Sequence, residues 1–210
     1  MIRVGVHRMT RVCAAGMCGA IACLVASCSQ DRSEHRAYVE SLMRHRSGVD
    51  ALMASENGPL TAAQRNRFQG LAFFRPRTDL IFDVALESAA RADTVSFITS
   101  RSTFDRYVKL GVLRFEFEGR THELTLFRAL QGETLFLPFT DRTSGEKTYG
   151  AGRYLDPEPL ADGRYRLDFN RAYNPYCAYN ATWVCPIPPP ENGLDLSIEA
   201  GERNFPYKDG

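Results

Sequence analysis

The sequence predicts a mainly β, α+β fold: an antiparallel β-sandwich or barrel preceded by one or two N-terminal helices. Three observations predict it. Apolar residues recur at helical spacing until about Phe68. From residue 70 the apolar period changes to two. The segments with that period are short and separated by turn residues, as in sandwiches and barrels. At 210 residues the chain is long enough to bury a sizeable core. Lys and Arg number 26 against 25 Asp and Glu, a formal net charge of +1. Nucleic-acid binders neutralise phosphates with a basic excess, and none exists here.

Residues 1–27 read as a leader. Arg3, Arg8 and Arg11 form a basic start without an acidic residue, and Val12 to Ser27 is uncharged and rich in small and apolar residues. That is the pattern of a secretory signal peptide. The apolar stretch is broken by Gly16 and Gly19, whereas a membrane-spanning helix needs about 20 apolar residues. Leu24-Val25-Ala26-Ser27-Cys28 resembles the lipobox of bacterial lipoproteins. The resemblance implies a diacylglyceryl group on the Cys28 sulfur, cleavage after Ser27, and a membrane as partner through the acyl chains. Two or three such chains anchor stably, whereas one holds marginally. It also implies an exported protein facing the periplasm or cell exterior. Ser29, rather than Asp, after Cys28 favours the outer membrane in a diderm cell. Loss of the leader removes three arginines, so acyl chains and not a basic patch must do the anchoring.

A short tether over 28–34 then leads to a single domain, 35–210, with helices within 35–68 and a β domain over 70–205. Helical periodicity begins at residue 29, where Tyr38, Leu42, Val49 and Met53 share a face until about residue 54. His35 and His45 lie among polar residues and read as surface histidines. Ser55-Glu56-Asn57-Gly58-Pro59 ends the helix. Thr61 and Gln64 have the spacing of a capping box, which starts a second, short helix.

The strands follow. Leu80–Glu87 and Thr94–Thr99 are strand-like. Leu113, Phe115 and Phe117 alternate with Arg114, Glu116 and Glu118, the pattern of a half-buried strand. Glu118-Gly119-Arg120 is a turn, and Thr121–Arg128 returns to complete a hairpin. Leu135–Phe139, Thr148–Leu155, Tyr165–Phe169 and Leu194–Ile198 continue the series. Pro186-Ile187-Pro188-Pro189-Pro190 reads as a stiff connector.

Of six cysteines, three leave with the leader and Cys28 takes lipid, which leaves Cys177 and Cys185. An exported compartment is oxidising, so a disulfide between them is expected, with about 2–3 kcal/mol of stabilisation. Redox pairs usually have two intervening residues, and this pair has more. No histidine sits beside them to complete a zinc site. Neither a metal nor a cofactor is expected.

Three longer segments carry a resemblance: Leu135 to Tyr154, Leu167 to Tyr179, and Cys185 to Leu194 with Ile198 to Glu202. Phe68 to Phe74 fits an earlier motif. Together they resemble the bacterial domain-of-unknown-function family 1684, several of whose members are exported or lipid-anchored. The resemblance implies a common fold and a common site without an established activity.

These segments concentrate polar residues. Asp141, Arg142, Thr143 and Ser144 precede Gly145 as a turn would. Arg153 opposite Glu202 or Asp168 would make a buried ion pair. Asn170 and Asn174 can brace loops, and Glu191 and Asn192 follow the proline run. The architectural reading makes all of these structural glue, because buried polar groups usually satisfy one another. The functional reading makes them a polar pocket at one sheet end. There Arg142 or Arg153 would meet an anionic group, and Asp141, Asp168 and Glu191 would meet hydroxyls or amines. Tyr149, Tyr154, Tyr173 and Trp183 would wall an apolar or sugar-like ligand, unless they are ordinary core.

Catalysis has little support. A Ser-His-Asp arrangement lacks its histidine base and its nucleophile elbow, and Gly150-Ala151-Gly152 lacks the remainder of a dinucleotide fingerprint. The expectation is a lipid-anchored envelope protein that binds a small polar ligand or an envelope partner without catalysis. The alternative is a hydrolase using Asp141, Asp168 or Glu191 as its carboxylates.

Overall fold

The protein is described by a computed structural model covering residues 18–207. The basic start of the leader lies outside the described residues, and the Cys28 side chain with its proposed lipid is also outside them. The chain forms two units, Met1–Ser41 and Leu42–Gly210.

Helix α1 spans Cys18–Ala54, so the segment 28–34 expected as a tether is helical. Among the described residues no helix is long and apolar enough to cross a membrane. Within the second unit Leu42 and Met53 are buried, as their shared helical face requires. Arg46 fastens this end of α1 to the β domain. Its guanidinium donates to Phe74 O at 3.0 Å and lies 4.4 Å from the centre of the Phe73 ring. Helix α2, Ala62–Arg67, starts with the capping box: Gln64 N donates to Thr61 Oγ1, and Gln64 Oε1 accepts from Thr61 N.

Among the described residues eight strands form two antiparallel sheets. They are β1 (Ile81–Val84), β2 (Leu86–Ile98), β3 (Phe104–Phe117), β4 (Arg120–Ala129), β5 (Leu135–Phe139), β6 (Arg153–Leu155), β7 (Glu158–Pro159) and β8 (Tyr165–Asp168). One sheet has the order β1-β8-β7 and the other β2-β3-β4-β5-β6. The β3–β4 hairpin turns on Glu118 and Gly119, which both have positive φ. That turn puts Leu113 opposite Leu124 and Phe115 opposite His122.

Alternation decides the layers. Leu124, Leu126 and Leu137 face a core shared with Leu167 of the smaller sheet and with Leu80 and Phe169 in the short turns that flank its strands. Phe127 and Phe136 point the other way and build a second cluster with Phe97, Tyr154 and Cys185. The larger sheet is therefore covered on both faces near β4 and β5. A third cluster joins Met53 and Leu60 to Tyr179 and Phe205.

Three strand expectations need correction. Leu80–Glu87 is not one strand, because its residues divide between β1 and β2 in different sheets. Leu194–Ile198 is not a strand, although Leu194, Leu196 and Ile198 are buried in the main core. Only Arg153–Leu155 of the segment 148–155 pairs as a strand. Apolar alternation marks an inward face, but an extended segment becomes a strand only where a partner accepts its backbone bonds. Here Leu194 N and Leu196 O bond to the backbone of Thr140 and Arg142, and at Ile198 the side chains of Asp141 and Arg153 take that role. Gly152 is required at the turn into β6. Its φ is +94°, and a Cβ there would lie 2.5 Å from Phe139 O.

Candidate ligand-binding cleft

The motif residues come first, because their positions decide what is left for binding. Asp141 is buried, and both of its oxygens are engaged. They accept from Thr143 N at 3.2 Å, Thr143 Oγ1 at 2.8 Å, Ser144 Oγ at 3.3 Å and Ile198 N at 2.8 Å. Thr143 Oγ1 also shares a hydrogen bond with Thr148 Oγ1 at 2.9 Å. Arg153 is 0% exposed. Its Nη1 donates to Ala200 O and Glu202 O, and its Nη2 donates to Ile198 O and to Asp141 Oδ1, the last at 3.4 Å. Its carboxylate partner is thus Asp141, not Asp168 or the Glu202 side chain. The guanidinium spans a segment, 198–202, that has almost no ladder of its own.

The remaining residues behave alike. Asp168 caps the turn Phe169–Arg171 by accepting from Asn170 N at 3.1 Å. Asn170 ties the backbone of Arg77 in both directions, at 2.7 and 2.8 Å. Asn192 does the same for Thr125 and also donates to Pro138 O. Glu202 accepts from Asn174 N, Asn174 Nδ2 and Tyr179 Oη at 2.7–3.0 Å. Burial pushes Glu202 up to about 7 against these bonds. Arg142 makes only a surface pair with Asp195, and Glu191 is exposed on the wall of a shallow groove beside Ile98 and Ile187. The polar pocket expected around Arg153 is therefore not formed. Between Thr140 and Glu202 the chain is mostly irregular, and buried polar side chains satisfy backbone groups that strands would otherwise satisfy. With Asp141 saturated and Asp168 acting as a cap, neither presents a carboxylate poised over an attacking water.

The bridge expected between Cys177 and Cys185 is not formed either; both are free thiols. Cys177 N donates to Cys185 Sγ at 3.2 Å. The Cys185 thiol, aided by the Tyr149 hydroxyl 3.8 Å away, holds Cys177 down at about 6. The same pairing drives Cys185 up.

A concave feature of another kind lies elsewhere in this unit. A cleft of about 660 Å³ opens between the second and third apolar clusters. One wall is Tyr107, Phe136 and Tyr154. Tyr107 and Phe136 stack at 4.7 Å, and Tyr154 meets Phe136 edge-on at 4.8 Å. The other wall is the end of α1 with Tyr176, Tyr179 and Trp183. Trp183 packs on Tyr176 at 5.0 Å and is 42% exposed at the rim, as is Leu52.

A few polar groups converge on the cleft. Tyr173 Oη donates to Asp156 Oδ1 at 3.0 Å. Crowding by protein atoms holds the Asp156 carboxyl above its ordinary range, and the Tyr173 bond opposes that shift. His45 is held below its ordinary value by burial and by the neighbouring Arg171 guanidinium. Asn174 and Glu202 lie buried at the bottom. Asn174 Oδ1 has no hydrogen-bond partner among the described residues.

Of the sequence candidates, Asn174, Glu202, Tyr154, Tyr173 and Trp183 line this cleft. Sequence reasoning missed Asp156, Arg171, Tyr107, Phe136, Tyr176 and Tyr179; His45, read as a surface histidine, is exposed and borders the cleft. They come from separate segments with no common spacing, so no pattern in the chain links them.

The fold and the cleft together define a class: a β-rich domain whose irregular half is held by buried polar side chains and which carries an aromatic-lined cavity. The chain belongs to the DUF1684 family, described as a protein of unknown function, whose model matches residues 66–203. It is similar to the solution structure of an uncharacterised protein from gene locus rrnAC0354 of Haloarcula marismortui. The two share 34% identity at a TM-score of 0.65, over 81% of this chain and 96% of that one. No curated protein matches.

Proposed function

We propose that this is an exported, acyl-anchored envelope protein whose β domain binds a small molecule without catalysis. The observation that carries the binding half is the cleft. Its volume of about 660 Å³ falls in the range of small-molecule sites. Its lining is largely aromatic, with a few convergent polar groups, which is the usual composition of such sites. The anchoring half rests on the leader: a basic start, an apolar middle and a lipobox ending at Cys28. In an oxidising envelope the free Cys177 and Cys185 thiols would join as a disulfide.

Two measurements test this reading. Intact mass of membrane-extracted protein should lack residues 1–27 and carry acyl chains, with two thiols appearing only after reduction. An unlipidated mass would defeat the anchor. A thermal-shift panel of small molecules tests the cleft. A true ligand at 100 times its Kd should add about 2.7 kcal/mol. A panel that moves nothing, with no change in Trp183 fluorescence, would remove the binding function.

A further inference from the structure

We propose that the cleft is a site for organic cations. An ammonium group would sit against the Asp156 carboxylate and the neighbouring aromatic faces, with its apolar body toward Leu52 and Trp183. This rests on the cleft being a ligand site, and the test below separates the two ideas.

The first observation is where the tyrosine hydroxyls go. Tyr173 donates to Asp156, Tyr154 to Pro186 O at 2.5 Å, and Tyr179 to Glu202. Their protons are committed to the protein. What these residues offer a ligand is ring surface, and ring faces attract cations through the aromatic quadrupole.

The second observation is the surplus of acceptors. Asp156 receives a hydrogen bond on Oδ1, and none of the described residues donates to Oδ2. Asn174, 1% exposed and part of the cleft lining, leaves Oδ1 unpartnered. A buried acceptor without a donor is costly, and a ligand N–H or O–H would complete it.

The third observation is charge. Asp156 and Glu202 are the carboxylates of the lining, and Arg171 is its guanidinium. Arg171 Nε already donates to Asp168 Oδ2 at 3.3 Å, so part of its charge is answered outside the cleft. Burial and the Arg171 guanidinium disfavour the charged form of His45. Glu202 is already answered by Asn174 and Tyr179, so the charge open to a ligand is that of Asp156, and a cation would meet it together with the ring faces.

The experiment uses the full chain in detergent and three probes of one shape: choline, its neutral carbon isostere 3,3-dimethylbutan-1-ol, and the anion 3,3-dimethylbutanoate. Trp183 is the single tryptophan of the chain, so its fluorescence reports occupancy of the rim directly. Choline should saturate the signal about tenfold more tightly than the isostere, and the anion should bind weakest. Asp156→Asn should weaken choline by about tenfold without changing the isostere. Tyr173→Phe, which keeps the ring, should retain choline binding, and Tyr173→Leu should lose it. Choline and isostere binding equally would overturn the cation assignment while leaving the cleft as an apolar site. Choline binding that ignores Asp156→Asn would overturn it too. Silence from all three probes overturns the cation assignment, and the cleft itself falls only if the wider small-molecule panel is also silent.

Discussion

The Asn192 side chain pairs with Thr125 as a strand residue would. Its Nδ2 donates to Thr125 O at 2.9 Å, and its Oδ1 accepts from Thr125 N at 2.7 Å. The same Nδ2 donates to Pro138 O at 2.8 Å. β4 and β5 are in register only at Phe127–Phe136 and Arg128–Leu135. Where they part, one amide closes the gap on both sides. Asn192→Ala would leave those backbone groups buried without partners, at about 1–3 kcal/mol each. We expect a loss of about 3 kcal/mol in urea unfolding. Asn192→Asp should be no better, because a carboxylate would face the two carbonyls. An Ala variant as stable as the parent would show that water replaces the amide.

Arg153 makes a second prediction. It is fully buried and holds the backbone of 198–202 against Asp141. Arg153→Met keeps much of the volume and removes every donor. Breaking a buried pair from one side costs about 3–5 kcal/mol, because the other charge stays behind. The double variant Arg153→Met with Asp141→Asn, which removes the charge and keeps an acceptor for Ile198 N, should recover part of that loss. A double variant as unstable as the sum of the singles would locate the damage in the orphaned carbonyls rather than in the charge.

Glu202 ties stability to pH. Its folded value is raised to about 7 from an ordinary 4.5, chiefly by burial. The folded state therefore holds this proton more tightly than the unfolded chain. The ionisation penalty is absent below pH 4.5, grows between 4.5 and 7, and is complete above 7. It amounts to about 3 kcal/mol. Glu202→Gln cannot ionise, so its stability should fall less steeply across that window than the parent's. Parallel pH profiles for the two proteins would show that Glu202 stays charged throughout.

Cys177 offers a chemical readout. Its value near 6 makes it a thiolate at neutral pH, while Cys185 stays protonated. Under reducing conditions iodoacetamide should label Cys177 first, with a rate midpoint near pH 6. Tyr149→Phe removes one hydrogen bond to the sulfur and should move that midpoint upward. Equal labelling of both cysteines would break the assignment.

Much of the fold was legible along the chain. The capping box at Thr61 and Gln64, the hairpin at Glu118–Gly119 and the alternation of Leu113 and Phe115 are local signals, and local physics realises them. The strand expectation failed at Leu194–Ile198, where the inward residues were right but the backbone bonds to Thr140 and Arg142 are too few to make a ladder. The candidate site was less legible. Asp141, Thr143, Arg153 and Asn192 stand out as polar residues in apolar surroundings, which marks burial or binding equally well.

By itself the sequence determined the helix-then-strand order, the β-rich class and the family motifs. Each depends on residues near one another in the chain, whose spacing sets hydrophobic period or turn geometry. Only the tertiary structure decided which polar residues are braces and which line a cavity. Asn174 and Glu202 line the cleft, while Asp141 and Asn192 hold loops, although all four are buried polar side chains. What separates them is the three-dimensional neighbours that donate to them and the space left beside them. Those neighbours are brought in from distant segments by the packing of the whole domain.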